Sequence, residues 1–245
     1  ECVQTFHGHT NSVLCLIQLE DGTIVTGSRD FTIKLWNLNG ECLQTVHHHT
    51  GNVLALWNLG QGIFASGGGD NIINIWKWNN QKVTHWRTLE GHQNWIWSLA
   101  QLGNLLISGS EDGTIIFWDW QTGQQVKRLV YSHPIHCVAV MSDQYMLSGS
   151  SDCSVQVWDM NANQLAVKLQ GHSNFVRAVL PLGSDSFASG SEDDTIKVWK
   201  QQDGGWVCIK TSEHLNYVKC LAKLKDNTIA SGSYDCTVRV WQLQQ

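Results

Sequence analysis

The sequence predicts an all-β protein assembled from six copies of one four-stranded unit. Three observations support this prediction. A short segment of small residues that ends in aspartate recurs six times, and a tryptophan follows each aspartate by six residues. A histidine precedes each aspartate by 19 to 21 residues. Turn residues separate short apolar runs throughout the chain, which predicts about four strands in each copy.

The recurring segment sets the period of the chain. Its copies are T-G-S-R-D (26–30), S-G-G-G-D (66–70), S-G-S-E-D (108–112), S-G-S-S-D (148–152), S-G-S-E-D (189–193) and S-G-S-Y-D (231–235). The tryptophans that follow stand 40, 42, 40, 41 and 42 residues apart: Trp36, Trp76, Trp118, Trp158, Trp199 and Trp241. A fixed period of this length indicates a repeat architecture. We expect a single domain over 1–245, with repeats at about 1–40, 41–80, 81–123, 124–163, 164–205 and 206–245.

The residues between each aspartate and its tryptophan predict a β-strand. The third residue after the aspartate is always β-branched: Ile33, Ile73, Ile115, Val155, Ile196 and Val238. The fifth is also apolar, and the residue between them is polar in every copy except the third. This alternation with β-branched residues is typical of a half-buried strand.

Composition narrows the classes of function. A formal net charge of −5 and an isoelectric point near 6.1 argue against a nucleic-acid partner, which normally requires a basic surface. No apolar stretch approaches the roughly 20 residues of a membrane span, and no signal peptide precedes the repeats, so we expect no membrane association. Cytoplasmic localisation is expected, and the nucleus is equally compatible. A chain that starts at Glu1 is expected to be part of a longer protein.

The eight cysteines lack the spacing of a zinc site or a redox motif. We expect them to be small buried or half-buried hydrophobes in a reducing compartment. The run His47-His48-His49 raises a metal site as an alternative, since imidazole is a common ligand. Consecutive residues of an extended loop point in different directions, so no metal and no cofactor are expected.

The Gly-His pairs at 8–9, 91–92 and 171–172, the Ser-Gly-Ser-x-Asp segments and the terminal tryptophans together resemble the WD-repeat β-propeller family over essentially the whole chain. The resemblance implies a six-bladed propeller in which each blade is a four-stranded antiparallel sheet. It further implies that the N-terminal strand, Cys2 to Phe6, closes the ring by completing the sheet whose other strands end at Trp241. A propeller of seven blades that has lost one is the alternative.

The resemblance also implies a role for the repeated polar residues. In this family a hydroxyl, a histidine, an aspartate and the tryptophan form a structural hydrogen-bonded network. The implied sets are Thr26/His9/Asp30/Trp36, Ser66/His49/Asp70/Trp76, Ser108/His92/Asp112/Trp118, Ser148/His133/Asp152/Trp158, Ser189/His172/Asp193/Trp199 and Ser231/His214/Asp235/Trp241, all six complete. These residue types also make catalytic triads, but six equivalent copies argue for structure, so we predict that the chain is not an enzyme.

The function predicted from the sequence is that of a scaffold or adaptor that binds a protein or peptide partner. A small-molecule ligand is not expected, and the isolated domain is expected to be monomeric. A lectin is a second class, because the 13 tryptophans exceed the six that the repeat requires. An enzyme is a third class, which would need a cluster of reactive groups that the repeat does not supply.

Exposed residues that differ between repeats are expected to carry specificity. In the resembling family, the position three residues after the network histidine and the position before the network aspartate face the narrow end of the disc. These positions and their neighbours on the inner strands give the predicted partner-binding residues Arg29, Trp95, Glu111, His136, Phe175, Arg177, Glu192, Tyr217, Lys219 and Tyr234. Aromatic residues and arginine are enriched at interface hot spots, whereas packing of these aromatics against neighbouring loops is the alternative. The mixture of Arg29 with Glu111 and Glu192 favours a mixed peptide over a uniformly acidic or phosphorylated one.

Overall fold

The computed structural model describes residues 2–79, 81–225 and 228–243. These residues form 23 strands joined by turns, and none of them is helical. Accordingly, this part of the chain has no helix that is long and apolar enough to cross a membrane. The strands cluster into two compact units, 1–128 and 129–245. The prediction of an all-β chain is confirmed, and the single-domain organisation stays a prediction.

The first unit holds three antiparallel sheets, each of which we call a blade. In blades 1, 2 and 3 the strands lie side by side in chain order. Blade 1 consists of β1 Val13–Gln18, β2 Ile24–Ser28, β3 Thr32–Trp36 and β4 Cys42–His47; blade 2 of β5 Val53–Gly60, β6 Ile63–Gly68, β7 Ile72–Asn79 and β8 Lys82–Glu90; blade 3 of β9 Ile96–Leu102, β10 Leu105–Ser110, β11 Thr114–Asp119 and β12 Gln124–Val130.

The second unit holds blades 4, 5 and 6, which follow the same order. Blade 4 consists of β13 Ile135–Val140, β14 Tyr145–Ser150, β15 Val155–Asp159 and β16 Gln164–Leu169; blade 5 of β17 Val176–Pro181, β18 Ser186–Ser191, β19 Thr195–Gln202 and β20 Gly205–Glu213; blade 6 of β21 Val218–Lys223, β22 Thr228–Ser233 and β23 Val238–Gln242. In blades 1 to 5 the strand that follows the repeat tryptophan is the fourth strand of the same sheet.

The apolar core lies between consecutive blades within each unit. Ile33 and Leu35 of β3 pack in one buried cluster with Val53 and Leu56 of β5. The same positions of the next blades form the next cluster, and blades 4, 5 and 6 repeat the arrangement. The alternation read from the sequence therefore places one apolar face of the third strands β3, β7, β15 and β19 against the first strand of the following blade.

A β-bulge lies near the start of the first strand in every blade. One residue there is skipped in the pairing with the second strand: Leu14, Leu54, Trp97, His136, Arg177 and Lys219. A bulge leaves its extra residue out of the ladder and redirects the side chain. Three of the predicted site residues occupy this one position.

The predicted closing strand is not formed. Residues 2–9 belong to no sheet, and blade 6 has three strands in the described part of the chain. The N-terminal segment is held by contacts with its own repeat instead. Phe6 stacks on Trp36 with ring centroids 5.6 Å apart, and the Gln4 side chain donates a hydrogen bond to the Asn39 carbonyl. The segment that the sequence assigned to blade 6 therefore forms no strand among the described residues.

Candidate functional site

Five of the six predicted networks are present with closely similar geometry. They are Thr26/His9/Asp30/Trp36, Ser66/His49/Asp70/Trp76, Ser108/His92/Asp112/Trp118, Ser189/His172/Asp193/Trp199 and Ser231/His214/Asp235/Trp241. The indole nitrogen lies 2.7 to 2.8 Å from the hydroxyl oxygen, to which it donates. Imidazole Nε2 lies 2.6 to 2.7 Å from that oxygen, and Nδ1 lies 2.7 to 3.0 Å from the aspartate.

Each network aspartate fastens the loop before the first strand to the turn between the second and third strands. In blade 5, one oxygen of Asp193 accepts hydrogen bonds from His172 and from the Ser173 N–H, while the other accepts from the N–H and hydroxyl of Thr195. Burial alone would raise the pKa of the Asp193 carboxyl, but these hydrogen bonds outweigh it and lower the pKa. The aspartate is therefore ionised and immobile, and the loop ends beside it are fixed.

The networks join a hydroxyl, an imidazole and a carboxylate as a nucleophilic triad does, but a substrate could not reach the hydroxyl. The Ser66, Ser108 and Ser189 side chains are fully buried. Each hydroxyl also accepts the indole N–H, and the carboxylate accepts the Nδ1 proton, so the group is internally satisfied. A buried hydroxyl of this kind contributes to stability rather than to chemistry.

The fourth network departs from the prediction. His133 is exposed, and its Nδ1 lies 3.9 Å from Asp152 and 2.8 Å from the Ser132 hydroxyl. Asp152 instead accepts a hydrogen bond of 2.6 Å from the Tyr131 hydroxyl, and it forms an ion pair of 2.7 Å with Lys168. Ser148 still accepts the Trp158 indole N–H and donates to the amide oxygen of Gln156. The prediction of six complete sets is therefore wrong for this blade.

A match of residue type at the wrong position explains the difference. In the other five blades the network histidine stands four residues before the first strand, and in blade 4 that position is held by Tyr131, which precedes Asp152 by 21 residues. Its hydroxyl reaches the carboxylate from there. His133 stands two residues later in the chain and precedes Asp152 by only 19 residues.

The predicted binding positions are joined in pairs by the backbone. The N–H of the residue before each network aspartate donates to the carbonyl of a residue in the loop before the first strand. The pairs are Arg29 with Ser12, Gly69 with Asn52, Glu111 with Trp95, Glu192 with Phe175, and Tyr234 with Tyr217, at 2.8 to 3.0 Å. In blade 4, Ser151 pairs with Pro134 and not with His136. His136 is therefore two residues away from its predicted position and occupies the buried bulge.

The first unit presents an exposed indole supported by a second one. Trp95 is exposed, and its backbone N–H is fixed by the Asn94 side chain at 2.9 Å. Its ring meets that of Trp97 edge-on, with centroids 5.5 Å apart. The Trp97 indole donates a hydrogen bond of 2.6 Å to Glu111. In blade 1, the exposed Arg29 side chain makes no ion pair with any described residue.

The second unit presents a mixed cluster around Arg177. Its guanidinium forms an ion pair of 2.6 Å with Glu192, lies 3.0 Å from His136 Nδ1, and stands over the Phe175 ring. Burial and repulsion from Arg177 and Lys219 lower the pKa of His136 to about 3, so this imidazole is neutral at physiological pH. Arg177, one of the predicted partner-binding residues, is therefore already paired with Glu192.

Two exposed tyrosines lie together on blade 6. The rings of Tyr217 and Tyr234 meet edge-on with centroids 6.1 Å apart, and the Asn216 side chain accepts the Tyr217 N–H. Lys219 follows on the bulge, where desolvation and repulsion from Arg177 lower its pKa while Glu192 opposes the shift. The structure thus brings Phe175, Arg177, Glu192 and His136 together, and separately Tyr217 and Tyr234.

Most of the additional tryptophans have packing roles. Of the seven outside the repeat, only Trp95 is exposed; the others are Trp57, Trp78, Trp86, Trp97, Trp120 and Trp206. The Trp78 indole donates to Asp21, and Trp86 packs edge-on against Trp120. Likewise, His48 is occupied by stacking on His85.

The cysteines only partly match their prediction. All eight are described and none forms a disulfide, but Cys2, Cys42, Cys220 and Cys236 are exposed instead of buried. Burial raises the pKa of the Cys15 and Cys137 thiols to about 12.

Sequence reasoning missed Trp97 and the importance of the bulge. Trp97, His136, Arg177 and Lys219 occupy the same repeat position, directly after the β-branched residue that begins each first strand. The signal was available, because this position holds leucine in the first two repeats and large polar or aromatic residues in the other four.

Six repeated sheets, five of which share a hydroxyl–histidine–aspartate–tryptophan network, define a repeat protein built from blades. The chain belongs to the WD40 family, described as WD domain, G-beta repeat, whose profile matches residues 1–37, 40–77, 84–119, 123–159, 163–200 and 206–242. These matches cover most of the chain and coincide with the six repeats.

Several curated proteins are similar to the chain. Human F-box/WD repeat-containing protein 9 is 28% identical over 196 residues, which cover 78% of this chain and 35% of that protein. The ribosome biogenesis protein WDR12 homolog of Anopheles gambiae is 28% identical, covering 77% of this chain and 41% of its own length. The small ribosomal subunit protein RACK1y of Oryza sativa subsp. japonica is 32% identical over 46% of this chain and 36% of its own. The chain thus spans less than half of these relatives.

Proposed function

We propose that the chain is a non-catalytic interaction module that binds protein or peptide partners at the blade ends where the histidine loops meet the aspartate turns. One observation carries the proposal. Trp95, Phe175, Tyr217 and Tyr234 are 36% to 56% exposed, although the loops that hold them are fixed by hydrogen bonds. Large apolar rings that stay in water on a rigid frame are typical of interface hot spots.

Preorganisation is the physical advantage of this arrangement. A neighbouring asparagine orders the backbone of Trp95, Phe175 and Tyr217, and the paired turn orders that of Tyr234. Little backbone conformational entropy is then lost on binding, and burial of the ring contributes directly to affinity. Glu192 balances the charge of Arg177, so a partner of mixed polarity fits better than a multiply phosphorylated one.

Two further considerations support a binding role without catalysis. The repeated hydroxyls are buried within satisfied networks, which removes the nucleophiles from any substrate. One relative is by its name a protein of the small ribosomal subunit, and another is an F-box/WD repeat-containing protein, which supports association with other proteins. We expect this to occur in the cytoplasm or equally in the nucleus.

The test is a comparative pull-down with the immobilised chain. Wild type, Trp95→Ala and Tyr217→Ala are incubated with the same cell extract, and bound proteins are quantified by mass spectrometry. Leu38→Ala is the matched control, because Leu38 is an exposed apolar residue in the turn at the opposite end of blade 1.

We expect at least one partner to be lost from one or both aromatic variants and retained by the control. Its affinity for the purified variant should fall by about 1 kcal/mol or more, roughly fivefold. Identical sets of bound proteins for all four chains would contradict the proposed surface. Capture of glycans instead of proteins would favour the lectin class.

A further inference from the structure

The aspartate turn of blade 2, the middle blade of the first unit, has no side chain where the other repeats have one. The residue before its network aspartate is Gly69, whereas the equivalent residues elsewhere are Arg29, Glu111, Ser151, Glu192 and Tyr234. Gly51 and Gly68 lie at the same turn, and a Cβ atom placed on Gly51 would come within 2.7 Å of the Gly69 carbonyl carbon. The glycines therefore leave a shallow recess whose floor is backbone.

Trp95 of blade 3 borders this recess. A Cβ atom placed on Gly69 would lie 3.6 Å from the Trp95 indole nitrogen and 3.7 Å from Cδ1, so the N–H edge of the ring lies beside the space that a side chain would fill. The Trp95 side chain is 41% exposed, and its indole N–H donates to no described residue. The indole nitrogen is therefore a donor that a partner can reach.

Arg29 of blade 1 borders the same turn from the other side. The contact of Gly69 with Trp95 joins the residue before one network aspartate to the loop of the next blade. By equivalence, Arg29 lies next to Asn52, because blades 1 and 2 pack in the same register as blades 2 and 3. The Asn52 carbonyl accepts the Gly69 N–H at 2.8 Å, which places Arg29 beside the recess. The equivalent pairs that show the shared register are Gly27 with Val53 and Gly67 with Ile96.

Arg29 supplies the positive charge of the recess. Its side chain is exposed and forms no ion pair with any described residue. The acidic groups of the two turns, Asp30 and Asp70, are buried in their own networks, where a histidine and a backbone N–H hold each of them. A guanidinium and an indole N–H, both hydrogen-bond donors, therefore border the backbone floor.

Two other blades show which chemical group fits at this place. In blades 3 and 5 the residue equivalent to Gly69 is a glutamate, and each glutamate contacts a donor on the first strand of its own blade. Glu111 accepts the Trp97 indole N–H at 2.6 Å, and Glu192 pairs with Arg177 at 2.6 Å. A carboxylate held by an indole N–H or a guanidinium is thus a contact that this fold already makes at the equivalent turn.

We propose that the recess on blade 2 binds the carboxylate of an aspartate or glutamate side chain from a protein or peptide partner. Arg29 pairs with the carboxylate, the Trp95 indole N–H donates to it, and the missing side chain of Gly69 makes room for it. The planar guanidinium matches a carboxylate in shape and charge. A phosphate carries about two negative charges at neutral pH, of which Arg29 balances one. The inference rests on the proposed function, whose surface includes Trp95, and names the group that this surface recognises.

The test follows the indole N–H signals of the full chain by two-dimensional proton–nitrogen NMR during peptide titrations. Trp95→Phe identifies the Trp95 signal by its disappearance. The probes are acetyl-Leu-Glu-Leu-amide and acetyl-Leu-Gln-Leu-amide, which have the same size and differ by one negative charge. Both chain ends of each probe are blocked, so the side chain is the only carboxylate that is offered.

Three variants accompany the wild type. Arg29→Gln removes the charge, and Gly69→Glu fills the recess with the residue that blades 3 and 5 carry. Gly69 does not adopt a positive φ, so a side chain there meets no left-handed strain. Lys82→Gln is the matched control, because it removes one positive charge at an exposed residue in the turn between β7 and β8, at the opposite end of blade 2. Circular dichroism verifies that each variant is folded.

We expect the glutamate peptide to shift the Trp95 indole signal and to bind at least about fivefold more tightly than the glutamine peptide. Arg29→Gln and Gly69→Glu should each abolish this preference, whereas Lys82→Gln should keep it. Added salt should weaken the preference, since an exposed ion pair is screened.

Equal binding of the two peptides by the wild type, or a Trp95 signal that neither peptide shifts, overturns the proposal. So does a preference that Arg29→Gln or Gly69→Glu leaves unchanged. Tighter binding of a peptide with phosphoserine in place of glutamate would show that the recess takes phosphate, which overturns the choice of a carboxylate. These results are independent of the pull-down with Trp95→Ala and Tyr217→Ala, which detects the loss of a partner whatever group that partner contributes.

Discussion

Replacing His172 by alanine and replacing His133 by alanine should have very different effects on stability, although both were predicted from the sequence to belong to a network. The His172 side chain is buried and contacts the Ser189 hydroxyl at 2.7 Å and the Asp193 carboxylate at 2.9 Å. Its removal leaves a buried hydroxyl and a buried carboxylate short of one partner each. At about 1 to 3 kcal/mol for each group, the free energy of unfolding should fall by about 3 kcal/mol.

By the same reasoning, replacing His133 should cost little stability. Its side chain is 49% exposed, and its distance of 3.9 Å from Asp152 is too long for a hydrogen bond. Its removal should change the free energy of unfolding by less than about 0.5 kcal/mol. In blade 4 we expect Tyr131→Phe to lower the free energy of unfolding instead, because it deletes the hydroxyl that donates to Asp152.

Urea unfolding of the three variants and wild type, followed by tryptophan fluorescence, measures these differences. For a chain of this length, a loss of 3 kcal/mol should also lower the melting temperature by roughly 6 to 12 °C. Equal destabilisation by His172→Ala and His133→Ala would refute the reasoning, because it would mean that His133 takes part in a network after all. A Tyr131→Phe variant that is as stable as the wild type would refute the idea that Tyr131 takes the place of the network histidine in blade 4.

Two further predictions concern backbone strain and pH. Cys236, which follows the network aspartate, adopts a φ of 65°, where the third repeat has Gly113 at a φ of 76°. Cys236→Gly should therefore raise the free energy of unfolding by about 1 kcal/mol and Gly113→Cys should lower it similarly, as measured by urea unfolding; the same sign for both would contradict the strain argument. His136 has a folded pKa of about 3 against about 6.5 when unfolded, so the unfolded chain takes up the proton first as the pH falls. Between pH 7 and pH 5 the wild type should lose about 2 kcal/mol more stability than His136→Gln, and parallel pH profiles of the two chains would show that His136 does not titrate this way.

The repeat pattern was sufficient to predict the strands, and the resemblance to the WD-repeat family implied the five networks that form. Strand position follows from local alternation. His172, Ser189, Asp193 and Trp199 meet as that resemblance implied. His133 and His136 were misplaced together, because both positions were counted from His133 and not from Tyr131, which holds the histidine position in blade 4.

What the sequence by itself determined is the all-β fold, its six-repeat period and the residues that each repeat uses to hold its loops, because these depend on spacing within about 40 residues. Only the tertiary structure decided which polar group fills the fourth network, that Arg177 is paired with Glu192, and that Trp97 supports Trp95. It also decided that Cys2 to Phe6 lie in no sheet and that Phe6 stacks on Trp36. Each of these outcomes is a competition between contacts that are distant in sequence or nearly equal in energy, and only three-dimensional packing resolves it.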